Sequence, residues 1–264
     1  MRVERLGDGE PEVAIVGGIH GDEPCGVRAV DQLVDDEMDV QRPVALVVAN
    51  EEAVAAGERY LDADLNRSFP GDPTAAAHEE RLAAELTELL ADCEILSLHS
   101  TQSYEDLFAI VNGLGEFERH VCPSLTVHAV VDAGSFDRGR IFASLPRTVE
   151  VECGYQGSDQ AATNAYRVAR EFLGATGALP EEARTPNTDL PLFRLHRRVP
   201  KEPGREYEVY AANFQAVEEG ETFAAMGGED IVAEERFYPV LMSPYGYETV
   251  FGYAAERLGT LADV

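Results

Sequence analysis

Tryptophan is absent from this chain of 264 residues and lysine nearly so, Lys201 standing alone among 21 basic residues that face 49 aspartates and glutamates. No stretch concentrates arginine and lysine as phosphate binding requires, so a nucleic-acid partner is not expected. Eighteen uninterrupted apolar residues occur nowhere, and Met1 to Glu12 carries charges where a secretory leader would be apolar. No membrane association is expected, and a cytoplasmic location is. CxxC spacing is missing too. Cys25, Cys93, Cys122 and Cys153 each lie in or beside an apolar run, where free buried thiols of a reducing interior belong. The formal charge of −28 is spread along the chain rather than gathered in a tail. That pattern suits a halophile's protein, because molar salt screens self-repulsion and carboxylates keep the surface hydrated. An acidic protein that binds cationic partners is the alternative.

What the chain does have begins at Val13 to Ile19, a buried-looking strand that ends in Gly17-Gly18 and delivers His20 and Glu23 three residues apart. Imidazole nitrogen and carboxylate oxygen are zinc ligands, and a catalytic zinc takes three protein ligands. His99 is the candidate for the third. It ends a second apolar run, Ile95 to Leu98, and parallel strands of an open α/β sheet bring their carboxyl ends to one edge.

Helical spacing of Val27, Val30, Leu33 and Val34 predicts a helix through Asp35, opened by Pro24. Val44 to Ala49 reads as a strand and Glu51 to Ala56 as a helical turn. Arg59 to Asp72 has no period and reads as a loop; a helix opening at Pro73 or Thr74 follows, with Leu82, Leu86, Leu89 and Leu90 as its buried stripe. Leu107 to Val111, Leu125 to Val131 and Arg140 to Ser144 read as strands. Alternation over Arg147 to Cys153 puts Glu150 and Glu152 on one face and valines on the other. Ser158 or Asp159 then caps a helix with Ala162, Ala165, Ala169, Phe172 and Leu173 on one face. The expected fold is α/β, a mostly parallel mixed sheet flanked by helices. Glycine, proline and turn residues cluster from 174 to 191. A boundary there separates a catalytic domain, 1–175, from a small β domain, 190–264, built from runs at 192–198, 206–212, 222–226 and 237–242.

Four motifs in order, Gly-Gly-x-His-Gly-Asp-Glu at 17–23, Asp-Leu-Asn-Arg at 64–67, Leu98-His99-Ser100 and Glu152-x-Gly154, resemble the succinylglutamate desuccinylase and aspartoacylase family of zinc carboxypeptidase-like hydrolases. The resemblance covers most of residues 13 to 175. It implies one zinc per chain on His20, Glu23 and His99, and Glu152 as the general base that activates water. It further implies Arg59 as the group polarising the scissile carbonyl and Asn66 with Arg67 as binders of the substrate carboxylate. Arg140 and Tyr247 match residues that bind a second, side-chain carboxylate in the aspartoacylase branch. The chain is two residues longer than that pattern between Pro146 and Glu152. His78, His120, His128 and His196 match nothing in it. The implied activity is hydrolysis of the amide of a small N-acyl amino acid, and a homodimer is compatible with it. The alternatives are a zinc carboxypeptidase acting on peptides and a zinc-binding protein without catalysis, the latter having no need of Arg59, Asn66, Arg67 and Glu152 together.

Overall fold

A computed structural model describes residues 1–180 and 185–263, so part of the turn-rich stretch at 174–191 lies outside the described residues. The chain runs β1 (Arg2–Leu6), β2 (Val13–Gly17), α1 (Pro24–Asp35), β3 (Val44–Val48), α2 (Glu51–Ala56), α3 (His78–Leu89) and β4 (Glu94–Thr101). Next come β5 (Phe108–Val111), α4 (Glu116–Val121), β6 (Val130–Asp132), α5 (Ile141–Ser144), β7 (Thr148–Tyr155) and α6 (Asp159–Ala175). The last strands are β8 (Pro191–Pro200), β9 (Tyr207–Val209), β10 (Thr222–Met226), β11 (Glu229–Val232), β12 (Tyr238–Val240) and β13 (Val250–Thr260).

Ten strands form one sheet in the order β1-β3-β2-β4-β7-β5-β6-β8-β13-β12. Its centre, β3-β2-β4-β7, is parallel, while β1 and the β8-β13-β12 side bring antiparallel pairs. Every residue of β2 and β3 is buried, as expected of central strands covered on both faces. Val13, Ile15, Leu96, Leu98, Val149 and Val151 pack with Ala29, Val30 and Leu33 of α1 and Val168 and Phe172 of α6. Ala14, Val16 and Ile95 meet Leu82, Ala83 and Leu86 of α3 on the opposite face. Truncating a fully buried leucine such as Leu33 or Leu86 to alanine costs about 2–5 kcal/mol in such a core.

Three expectations are corrected. Residues 140–144 are not a strand: Ile141–Ser144 form a helical turn. Ile141 and Leu145, four apart, share one core cluster while Phe142 enters another, so the same apolar residues satisfy helical spacing. Of 125–131 only the end joins a strand, because Cys122–Ser124 form a 3-10 turn and Val127 N–H bonds back to Leu125. The third helix also opens later than read, at His78, since Asp72 caps a separate turn through Thr74.

Part of the tail continues the main sheet and part forms a sheet of its own. β8 pairs in parallel with β6, and β13 and β12 extend the same sheet, while β9, β10 and β11 make a separate three-stranded antiparallel sheet. Residues 243–247, between β12 and β13, reach back to the carboxyl ends of the central strands, where Ser243, Tyr245, Gly246 and Tyr247 line a cavity.

Candidate metal centre and active site

The turn after β2 is shaped by two glycines. A Cβ on Gly17 would sit 2.4 Å from the carbonyl carbon of Gly26, so glycine lets α1 lie directly on the strand end. Gly18 has φ +68°, which turns the chain toward the site. Glu23 then occupies the N-cap position of α1 but makes no side-chain cap. Its carboxylate is turned to the site instead. Oε1 meets His20 Nδ1 at 2.7 Å, while Oε2 meets His99 Nδ1 at 3.1 Å and accepts the Ser100 N–H at 3.1 Å.

The ligating atoms of His20, Glu23 and His99 all lie within 4.8 Å of one another, and all three side chains are buried. Two imidazoles and one carboxylate are the donor set of a three-ligand catalytic zinc site. The far nitrogens are held as well: His20 Nε2 lies 3.1 Å from Asp64 Oδ1, and His99 Nε2 lies 3.0 Å from Ser97 Oγ. Such outer contacts fix the ring and its tautomer, leaving the inner nitrogen for an ion. Burial alone would raise the Asp64 carboxyl, but its bond to His20 and the charges of His20, Arg59 and Arg67 hold it well below the usual carboxylate range.

Arg59 lies across this set, Nη1 donating to Glu23 Oε1 at 2.9 Å and Nη2 lying 3.0 Å from His20 Nε2. Its loop is pinned by Glu79, a fully buried carboxylate on α3. Oε1 accepts from Leu61 N–H at 2.7 Å and Asn50 Nδ2 at 3.0 Å, and Oε2 from Asp62 and Ala63 N–H at 3.0 and 3.1 Å.

On β4 and β7 alternation puts Ser97, His99, Glu150 and Glu152 on the face opposite Leu96, Leu98, Val149 and Val151. His99 and Glu152 are register partners in the parallel pair. The two glutamates differ in what they touch. Glu150 Oε1 accepts from Asn66 Nδ2 at 2.9 Å and Oε2 from Arg140 Nη1 at 2.7 Å. Glu152 Oε2 is buried with no hydrogen-bond partner. Burial, then the nearby charge of Glu23, pushes the Glu152 carboxyl up to about 8.

A cavity of about 240 Å³ is lined by His20, Glu23, Arg59, Asn66, Arg67, His99, Arg140, Glu150, Glu152 and Tyr247, among others, while Asp64, Ser97 and Glu79 support it from outside the lining. The nine residues to which the family resemblance gives a role, His20, Glu23, Arg59, Asn66, Arg67, His99, Arg140, Glu152 and Tyr247, all line it. Among the described residues, the buried side-chain polar atoms without a partner are Asp22 Oδ1, Ser100 Oγ, Arg140 Nε and Glu152 Oε2, and all four residues line this cavity. Orphaned polar groups are rare in protein interiors, and their concentration here marks where a ligand supplies the missing partners. Asp64 stood in a motif but without a role, Ser97 is found by counting two residues back along the His99 face, and nothing local in the sequence points to Glu79.

The profile of the succinylglutamate desuccinylase/aspartoacylase catalytic domain matches residues 9–113. A rat N-acyl-aromatic-L-amino acid amidohydrolase (carboxylate-forming) is 35% identical over 131 residues, 42% of this chain and 40% of that protein. A probable aspartoacylase of Acaryochloris marina is 32% identical over 129 residues, 44% of each chain. The chain thus spans less than half the length of these curated relatives. The crystal structure of murine aminoacylase 3 superposes with a TM-score of 0.77 over 96% of this chain and 98% of that one, at 23% identity, and shares the fold.

Proposed function

We propose that this chain, which belongs to the succinylglutamate desuccinylase/aspartoacylase family, is a zinc-dependent amidohydrolase that splits an N-acyl amino acid into a carboxylate and a free amino acid. The observation that carries this reading is the coincidence, in one small cavity, of a His-Glu-His donor set with Glu152, whose buried Oε2 has no partner. Zinc held by His20, Glu23 and His99 supplies Lewis-acid activation of water and of the scissile carbonyl.

Glu152 takes the proton of the attacking water and passes it to the departing nitrogen. Its free Oε2 and its raised affinity for a proton suit both halves of that task. Arg59 directs its guanidinium at the scissile carbonyl as negative charge develops there. The exposed Arg67 grips the α-carboxylate of the amino acid. Asn66 spends Oδ1 on the Ile141 N–H and one hydrogen of Nδ2 on Glu150, leaving its second Nδ2 hydrogen for the same carboxylate. Arg140 and Tyr247 form the wall beside the substrate side chain.

The cavity favours this reading over a carboxypeptidase. Pockets for drug-sized ligands run from about 300 to 1,000 Å³, whereas this one, at about 240 Å³ and flanked by Tyr245 and Tyr247, fits a small acyl amino acid. No helix among the described residues is long and apolar enough to cross a membrane. The nearly lysine-free acidic composition supports a protein working in the cytoplasm of a halophile. The test is amine release by the zinc-loaded protein from N-acetyl and N-succinyl amino acids beside short peptides. Turnover of peptides alone would replace this reading with the carboxypeptidase.

A further inference from the structure

Arg140, one of the cavity's lining residues, is enclosed together with its own counter-ion. Its side chain is 6% exposed and that of Glu150 is 3% exposed, with Nη1 and Oε2 2.7 Å apart. The second oxygen of Glu150 holds Asn66, and Asn66 Oδ1 in turn accepts the N–H of Ile141, the residue after Arg140. Three chain segments, the 64–67 loop, the start of α5 and strand β7, are thereby closed into one buried ring of hydrogen bonds. Within that ring the Arg140 Nε–H has no partner, although Arg140 lines the cavity.

We propose that Glu150 sets substrate specificity: by matching the charge of Arg140 it makes this subsite a receptor for the uncharged side chain of an N-acyl amino acid. The inference rests on the hydrolase reading above. A substrate carboxylate at Nε would meet the guanidinium and, a few ångströms further, the Glu150 carboxylate. At the effective dielectric of about 20 that suits protein sites the attraction and repulsion largely offset one another. The cost of stripping water from the substrate anion then stays uncompensated. An amide or hydroxyl oxygen accepts the Nε–H at a far smaller desolvation cost, because it carries no net charge. Tyr247 and Leu241 line the same cavity and add neutral surface.

The experiment compares isosteric pairs, N-acetyl-asparagine with N-acetyl-aspartate and N-acetyl-glutamine with N-acetyl-glutamate, on the zinc-loaded full chain in molar potassium chloride. Salt at that strength removes the long-range field of the acidic surface. Wild type is expected to favour the amide member by at least about tenfold in kcat/KM, and Glu150→Gln to move the acid-to-amide ratio toward the acid by at least about tenfold. A wild type that prefers the acidic member, or a folded Glu150→Gln variant with an unchanged ratio, overturns the proposal. If Glu150→Gln does not fold, the wild-type preference decides alone. If neither pair is turned over, the hydrolase reading fails for these substrates, and competition of free asparagine and aspartate for the loaded protein reads the subsite directly. Tighter aspartate would then overturn the proposal, and tighter asparagine would support it.

Discussion

Replacing Glu79 by glutamine isolates the support under Arg59. The carboxylate is 0% exposed and takes four hydrogen bonds, from Asn50 Nδ2 and from the N–H groups of Leu61, Asp62 and Ala63, at 2.7 to 3.1 Å. Glutamine keeps one oxygen but puts an NH₂ where the other accepted two donors. Hydrogen bonds to a charged group contribute about 1.5–3 kcal/mol each. Leu61 and Asp62 are otherwise exposed, so water takes up part of the loss, and a destabilisation of about 2–4 kcal/mol is expected in chemical denaturation at pH 7. Burial would raise the Glu79 carboxyl, but its four donors outweigh that and lower it. A carboxyl with a lowered folded pKa contributes stability above its unfolded value, near 4.3, and loses that contribution as pH falls through the folded value. The gap between wild type and Glu79→Gln should therefore shrink on acidification below about pH 4. Since the freed loop directly follows Arg59, kcat/KM should fall with zinc still bound. Stability within about 0.5 kcal/mol of wild type, the scatter of ordinary surface substitutions, would refute the reasoning.

Three further outcomes are expected. Glu152→Gln keeps shape but cannot accept a proton, so kcat should drop by about 10² to 10⁴-fold with zinc retained, and normal kcat would remove Glu152 as the base. All four cysteines are buried and free, and burial pushes Cys93 up to about 11 and Cys122 up to about 12. A thiol reagent at pH 8 should label none of them natively and all four in denaturant; rapid native labelling would contradict the packing. With a net charge of −28, the unfolding midpoint should rise from low to molar potassium chloride, where the Debye length falls to about 3 Å, and a flat midpoint would remove the halophilic reading.

The parts legible in the sequence were those set by local pattern. The apolar run of β2, the glycine pair behind His20 and the helical stripes of α1 and α6 depend on spacing along one segment, and they stand where spacing put them. The α5 turn reads as a strand from its sequence because the short apolar run Ile141-Phe142-Ala143 satisfies either period, and only packing into two different clusters decides between them. The union of β8, β12 and β13 with the main sheet depends on pairing between residues far apart, which composition does not encode. The site divides in the same way. His20, Glu23, His99 and Glu152 sit in motifs, whereas Glu79 acts through backbone N–H groups of a loop 16 to 18 residues upstream. Alternation alone left Glu150 and Glu152 equivalent on one face; their hydrogen-bond partners separate them.

The claim beneath all of this is that His20, Glu23 and His99 hold a catalytic zinc, and metal content measures it most directly. Protein stripped with a chelator and dialysed against zinc should return about one zinc per chain, while His20→Ala and His99→Ala, each missing one of three ligands, should return far less at the same free zinc concentration. Wild type that takes up no zinc, or either histidine variant retaining a full equivalent, would contradict the account.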